Sequence, residues 1–317
     1  MFARVLVPTD FSAPSDAALE YARVVVKAFG ASLHVLHVLP NVFLRPMAND
    51  PHAIENGALS QLRDWLAGDD QRPAAASVAR SDEPPDEIVS YARSNEIDLI
   101  VMGTHGRSGV THFLVGSVAE TVVRTAPCPV LTLHSRPASL ARGPQRILVP
   151  TDFSASADAA LDMARSFARQ FGSSIHLLHV LAEAPEAGGE MFVAESPEAR
   201  TDRLQDAIQR LGHRVAPADH REITARTEVV FGVPSHAIVD HAAHEFDLIV
   251  MGTHGRKGIA HVLMGSVAER VVRHSSCPVI TVRQPLPAAG VKPGTGTAAA
   301  TSSAGRTSRS GSALGRD

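Results

Sequence analysis

The chain has 317 residues, a length suited to two domains of ordinary size, with 44% hydrophobic residues and a formal net charge of −3 at pH 7. That near balance, with only 4% aromatic residues, leaves no basic face or stacking platform for nucleic acid, and no apolar run approaches the roughly 18 residues a membrane span requires. Met1-Phe2-Ala3-Arg4-Val5 enters a strand pattern directly, without a signal peptide, so a cytoplasmic protein is expected.

In chain order, a strand is predicted at Arg4 to Val7, followed by Pro8-Thr9-Asp10-Phe11-Ser12 and an alanine-rich helix from about Ser15 to Phe29, stopped by Gly30. A second strand follows at Ser32 to Val38. The segment from Pro40 to Pro73 starts as a loop and becomes amphipathic at Leu59, Leu62, Trp65 and Leu66, the pattern of a helix on one face of a sheet. A third strand near Ala76 to Arg80 leads to a helix near Pro85. The fourth strand, Leu99 to Met102, empties into a glycine loop, and a helix from Ser117 and a last strand at Pro129 to Leu133 complete the unit.

The whole series then repeats. Arg146 to Val149, Pro150 to Ser154, a helix of about Ala157 to Phe171 stopped by Gly172, and a strand at Ser174 to Val180 stand 142 residues after their counterparts. Beyond the middle segment, Leu181 to Pro217 with Leu204, Ile208 and Leu211, the offset becomes 149. A strand at Glu222 to Val230, a helix near Pro234, the strand from Leu248 to Met251, a helix from Ser266 and a strand at Pro278 to Val282 follow. Strands alternating with helices, with the first, fourth and fifth nearly all aliphatic, indicate an α/β fold: two tandem open, parallel, doubly wound Rossmann-like sheets. The expected domains are 1–136 and 145–283, joined by a linker at 137–144. From 284 to 317 Gly, Ala, Ser, Thr and Pro dominate, with scattered Lys292, Arg306, Arg309 and Arg316, the composition of a solvated, disordered tail.

The feature held in both copies is Met-Gly-Thr-His-Gly-Arg followed at fixed spacing by Gly-Ser-Val. It comprises Met102, Gly103, Thr104, His105, Gly106, Arg107, Gly116, Ser117 and Val118, and Met251, Gly252, Thr253, His254, Gly255, Arg256, Gly265, Ser266 and Val267. Glycines after a strand often make only a turn. A loop without β-carbons that enters a helix can instead bring backbone N–H groups and the positive end of the helix dipole to a phosphate. Ligands of open parallel sheets sit beyond the carboxyl ends of the strands, where the winding reverses. There Pro8, Thr9 and Asp10 would face the first loop, and Pro150, Thr151 and Asp152 the second. Asp10 can accept from a ribose hydroxyl or adenine amine, share a divalent ion with phosphates, or simply cap the next helix. His34 with His37, and His176 with His179, are three apart on strands and point to opposite faces, so neither pair chelates one ion. Cys128 and Cys277 read as small, half-buried, reduced thiols, bridged only if a twofold brings them together.

With Gly-x2-Gly-x9-Gly-Ser fulfilled twice, Val-Pro-Thr-Asp-Phe-Ser opening and Cys-Pro-Val closing each unit, the chain resembles the ATP-binding branch of the universal stress protein family. The resemblance spares only the tail and the connector near Arg136 to Pro144. It implies five strands per unit in the order 3-2-1-4-5, and an adenosine end held by Pro8, Thr9, Asp10 and Val38 or by Pro150, Thr151, Asp152 and Val180. The phosphates would lie on the glycine loops. The ligand would be ATP, alone or with Mg or Mn, and last strands would pair across a twofold, as an internal pseudo-dimer and in a homo-oligomer. Two departures stand out. Glu83 occupies the place of Gly232, favouring the second site, and Ala119 and Ala268 stand where a phosphate-binding hydroxyl is common. No residue is placed as a base to activate water, so at most weak hydrolysis is expected. The competing readings are a slow metal-dependent ATPase and an interaction scaffold with vestigial sites.

Overall fold

The computed structural model describes residues 2–41, 51–66, 75–104, 116–137, 140–182, 196–215, 223–253 and 264–283. The expected disordered tail lies outside them, and Met1–Gln284 forms one compact unit. The first repeat contains β1 (Arg4–Thr9), α1 (Ala13–Phe29), β2 (Ser32–Leu39), α2 (Pro51–Leu66), β3 (Ala75–Arg80), α3 (Pro84–Ser94), β4 (Leu99–Gly103), α4 (Ser117–Thr125) and β5 (Val130–Leu133). The second contains β6 (Arg146–Pro150), α5 (Ala155–Phe171), β7 (Ser174–Ala182), α6 (Pro197–Arg214), β8 (Ala225–Gly232), α7 (Pro234–Glu245), β9 (Leu248–Gly252), α8 (Ser266–His274) and β10 (Val279–Val282).

Each repeat carries the order 3-2-1-4-5, and the two sheets are continuous: β3-β2-β1-β4-β5-β10-β9-β6-β7-β8. Every described ladder is parallel except the seam, where β5 and β10 pair antiparallel with Leu131 opposite Ile280. The last strands therefore meet as expected, but within one chain. Each already has a neighbour on both sides, so the expected homo-oligomer through these strands has no open ladder to use; the sheet's edges are β3 and β8.

Alternation along the strands divides the core. Val5, Val7, Leu99 and Val101 join Ile147, Val149 and Val250 in one cluster under α1 and α5 that runs through both repeats. Leu6, Ile100 and Met102 pack on the other face with α3 and α4, and Leu148, Ile249 and Met251 do so with α7 and α8. Two carboxylates fasten the strand starts. Asp98 accepts from the Ala3 and Arg4 N–H groups at 2.7 and 2.9 Å, and Asp247 from those of Gln145 and Arg146 at 3.0 Å each. α1 and α5 end on Gly30 and Gly172 in left-handed conformation (φ 67° and 69°), as their sequence positions predict.

Several boundaries differ from expectation. β1 runs on through Pro8 and Thr9, and β8 starts at Ala225 and reaches Gly232 because it pairs with β7 out to Ala182. Glu83, expected to disturb a left-handed turn, caps α3 at φ −117°, so the first repeat has no such turn to disturb; Gly232 takes φ 149°. Both cysteines are free, and burial pushes the Cys128 thiol up to about 12 and the Cys277 thiol to about 11, keeping them protonated and unreactive.

Candidate functional site

At the carboxyl end of the second sheet lies a cavity of about 260 Å³. Ten residues read from the sequence line it: Pro150, Thr151 and Asp152 after β6, Val180 on β7, Met251, Gly252 and Thr253 ending β9, and Gly265, Ser266 and Val267 at the start of α8. The strand order explains the meeting, since β6 is the switch point with β9 on one side and β7 on the other. In the first repeat, Pro8, Thr9 and Asp10, Val38, Met102, Gly103 and Thr104, and Gly116, Ser117 and Val118 occupy the corresponding ends of β1, β2, β4 and α4. His105, Gly106, Arg107, His254, Gly255 and Arg256 fall outside the described residues.

The motif glycines divide their work differently from expectation. A β-carbon on Gly252 would lie 2.6 Å from Ser156 Oγ, and one on Gly103 2.6 Å from Pro14 Cβ, so these glycines let the ends of β9 and β4 approach the first turns of α5 and α1, the helices that follow the neighbouring strands β6 and β1. The N–H of Gly116 donates to the Thr104 carbonyl at 2.5 Å, and that of Gly265 to Thr253 at 2.8 Å. Those two amides, expected to face phosphate, instead close the loops. The donors left at the helix starts are one residue further on. The first helical bonds run from Glu120 to Gly116 and from Glu269 to Gly265, so the N–H groups of Ser117, Val118 and Ala119, and of Ser266, Val267 and Ala268, precede any intrahelical partner.

The turn after β1 and β6 is built by small polar side chains. Thr9 Oγ1 accepts the Phe11 N–H at 3.0 Å, and Thr151 Oγ1 accepts that of Phe153 at 3.0 Å. Asp10 Oδ1 accepts from the Ser12 N–H at 3.1 Å and from the Ser12 and Ser15 hydroxyls at 2.6 and 2.7 Å. Asp152 Oδ1 accepts the Ser154 N–H at 3.0 Å. Ser12 and Ser154 occupy the N-cap positions, where Ser154 Oγ accepts the Ala157 N–H at 3.3 Å while Ser12 makes no such side-chain bond, and the aspartates shape the turn before them. This geometry forces Phe11 and Phe153 into left-handed conformation, φ 61° and 65°, a strain of about 1–3 kcal/mol for a bulky residue.

What holds those rings was not read from the sequence. His37 and His179, both buried, donate from Nδ1 to the carbonyls of Thr9 and Thr151 at 2.7 Å. Their rings lie 4.6 and 4.4 Å from Phe11 and Phe153. His179 also lines the cavity, as do Ser154, Ser156, Leu178, Pro234 and Ile238. The signal is present in the sequence, because a histidine recurs at the same place on β2 and β7, but its spacing speaks only against a metal pair and says nothing of the carbonyl it meets. On the other side of Asp152, His179 and Val180 an adjoining cavity of about 670 Å³ reaches Arg203 and Arg210 of α6.

Residues 1–134 and 144–283 match the model of the universal stress protein family. A universal stress protein of Mycobacterium tuberculosis is 32% identical over 197 residues, 60% of this chain and 63% of its own length. The alignment thus spans under two thirds of that relative. One from Mycolicibacterium smegmatis is 25% identical over 296 residues, 88% of this chain and 96% of that one. The crystal structure of a universal stress protein from Archaeoglobus fulgidus shares the fold over 88% of this chain and 98% of its own, with a TM-score of 0.60 at 24% identity.

Proposed function

From the premise that the chain belongs to the universal stress protein family, we propose that it is a cytoplasmic regulatory protein of the stress response that binds adenine nucleotide, ATP in particular, at a site in each repeat. The observation that carries this reading is the cavity between Asp152 and the start of α8. One wall is apolar, with Leu178, Val180, Ile238 and Met251 suited to a base, while the other presents the Ser266, Val267 and Ala268 N–H groups and the Ser266 hydroxyl to phosphate oxygens. Asp152 lines the same cavity, and its carboxylate is suited to accept from a ribose hydroxyl. Among the described residues no group of three or more His, Cys, Asp or Glu side chains could hold a metal ion. A Mg or Mn ion would be shared between the nucleotide's phosphates and Asp152. No described helix is long and apolar enough to cross a membrane.

The test is to denature the purified protein, remove the precipitate and chromatograph what is released. Recovered ATP near stoichiometry is the expected result. Mostly ADP, with sustained metal-dependent phosphate release, would favour the slow ATPase. Empty protein that also gains no thermal stability from millimolar ATP would leave the scaffold with vestigial sites.

A further inference from the structure

The N–H groups assigned above to phosphate leave from the first turns of α4 and α8, helices of nine residues each. A helix also ends on carbonyls that have no partner within it. At the end of α4 the Ala126 N–H returns to the Val122 carbonyl, and at the end of α8 the Ser275 N–H returns to that of Val271, so the carbonyls beyond them need partners from elsewhere. Two of those partners come from the opposite repeat. His134, just past β5, donates from Nε2 to the Val272 carbonyl of α8 at 3.0 Å, and Arg283, just past β10, donates from Nη1 to the Arg124 carbonyl of α4 at 2.7 Å.

The antiparallel seam brings these atoms together. α4 runs back from the carboxyl end of β4 to the start of β5, and the seam lays that start beside the end of β10, with Val130 opposite Thr281. Thr132 stands opposite Val279 in the same ladder, which lays the end of β5 beside the end of α8. His134 and Arg283 are equivalent residues, 149 apart in the sequence. A carbonyl only accepts, so His134 carries a proton on Nε2, while its Nδ1 meets the Thr104 hydroxyl at 2.7 Å. Arg283 directly follows Val282, whose carbonyl accepts the Thr253 N–H at 3.0 Å. Each residue thus leaves the strand end from which its own glycine loop is hung and reaches the far end of the other repeat's helix.

Such contacts do what packing alone does not. Ala119, Val122 and Val123 hold α4 to its sheet, and Ala268, Val271 and Val272 hold α8. Apolar burial is non-directional, so it resists separation more than sliding along the helix axis. Directional bonds at the helix end set the axial position, and across only about 13 Å of rigid helix that position is passed to the first turn. Binding through backbone N–H groups needs them held to about 0.5 Å. Arg283 also puts a cation at the negative end of the α4 dipole.

We infer that His134 and Arg283 are positioning residues that act across the seam. His134 of the first repeat sets α8 for the second site, and Arg283 of the second repeat sets α4 for the first. Neither site is then complete within its own repeat. The effect on binding rests on the nucleotide reading proposed above; the anchoring of the helices does not.

The test is hydrogen exchange of the full chain, read separately in α4 and α8, first without ligand and then over an ATP titration. His134→Leu should speed exchange of the α8 amides about fivefold and spare α4, whereas Arg283→Met should speed α4 about fivefold and spare α8. The ATP concentration that half-protects the first turn should rise about fivefold at the same, opposite-repeat helix. His134→Gln and Arg283→Lys, which keep an N–H donor, should recover most of each loss. Should one of the two truncated variants not fold, the other decides the matter. Crossed loosening in a protein that ATP does not protect even as wild type would remove the nucleotide reading and keep the anchors. Loosening of the variant's own repeat, equal loosening of both helices, or crossed loosening with unchanged ATP midpoints overturns the inference.

Discussion

At Gly252 a β-carbon would meet Ser156 Oγ at 2.6 Å and its backbone carbon at 2.8 Å, so β9 and α5 approach too closely for any side chain. Gly265 is different: its φ is −65°, open to any residue, and its β-carbon would come 3.2 Å from the Thr253 carbonyl, on the cavity side. Gly252→Ala should therefore cost about 1–3 kcal/mol of stability through overpacking. Gly265→Ala should leave the thermal midpoint nearly unchanged while weakening nucleotide binding about tenfold, measured by titration calorimetry. Equal losses of midpoint in both variants would show that the two glycines share one role. In the sequence these residues are indistinguishable, each a glycine of one repeated motif. What separates them is the identity of the atom across the gap, supplied by a helix nearly a hundred residues earlier. The same limit applied to the aspartates, whose turn-shaping role depends on the serine hydroxyls that fold back onto Asp10.

The elements flanking each site show how one scaffold position is filled by two chemistries. Asp16 on α1 accepts the Trp65 indole N–H at 2.6 Å, and Trp65 packs edge-on at 5.8 Å from Phe11. Its counterpart Asp158 on α5 accepts from Arg214 Nε at 2.7 Å and Nη2 at 3.3 Å, and the Arg214 and Arg210 guanidinium carbons lie 4.8 and 4.0 Å from the Phe153 ring centroid. Strained Phe153 is thus held between His179 and two cations. Arg214→Ala should cost about 1–2 kcal/mol, below a fully buried pair because the Asp158 side chain is half exposed. Part of that loss should vanish in 1 M salt, as read by urea midpoints at both ionic strengths; a salt-independent loss would mean that packing on Phe153 dominates. Both helices were legible from their apolar spacing, Leu59, Leu62 and Trp65 or Leu204 and Leu211, but Ile208, read as part of the second stripe, is 48% exposed and Ala207 takes the buried place beside Leu211. Their terminal partners were not, because an arginine at the end of an amphipathic helix reads as a solvated or dipole-facing charge.

Across the whole molecule the duplication, the winding and the strand order could be read in advance, while the extent to which the repeats share one interior could not. Phe2 and Phe29 from the first repeat and Phe167 and Phe171 from the second form a single aromatic cluster, with Phe167 centroids 5.7 Å from Phe2, 5.3 Å from Phe29 and 5.8 Å from Phe171. Gly143 of the connector lies against Phe171 in left-handed conformation, where any β-carbon would collide with the ring. Across the seam His134 Nε2 donates to the Val272 carbonyl at 3.0 Å, and Arg283 Nη1 donates to the Arg124 carbonyl at 2.7 Å. Aromatic residues at helix ends carry no label for the partner they will meet, so a repeat boundary in sequence is no guide to energetic independence. The prediction follows from Trp65, the chain's one tryptophan, which sits in the first repeat. Phe167→Ala, a truncation at a fully buried position of the second repeat, should cost about 3–5 kcal/mol. If the interior is shared, Trp65 fluorescence and far-UV circular dichroism should shift together to a lower denaturant midpoint in one transition. A Trp65 transition that stays in place while the dichroism splits in two would mean that the seam joins the repeats in space without coupling their stabilities.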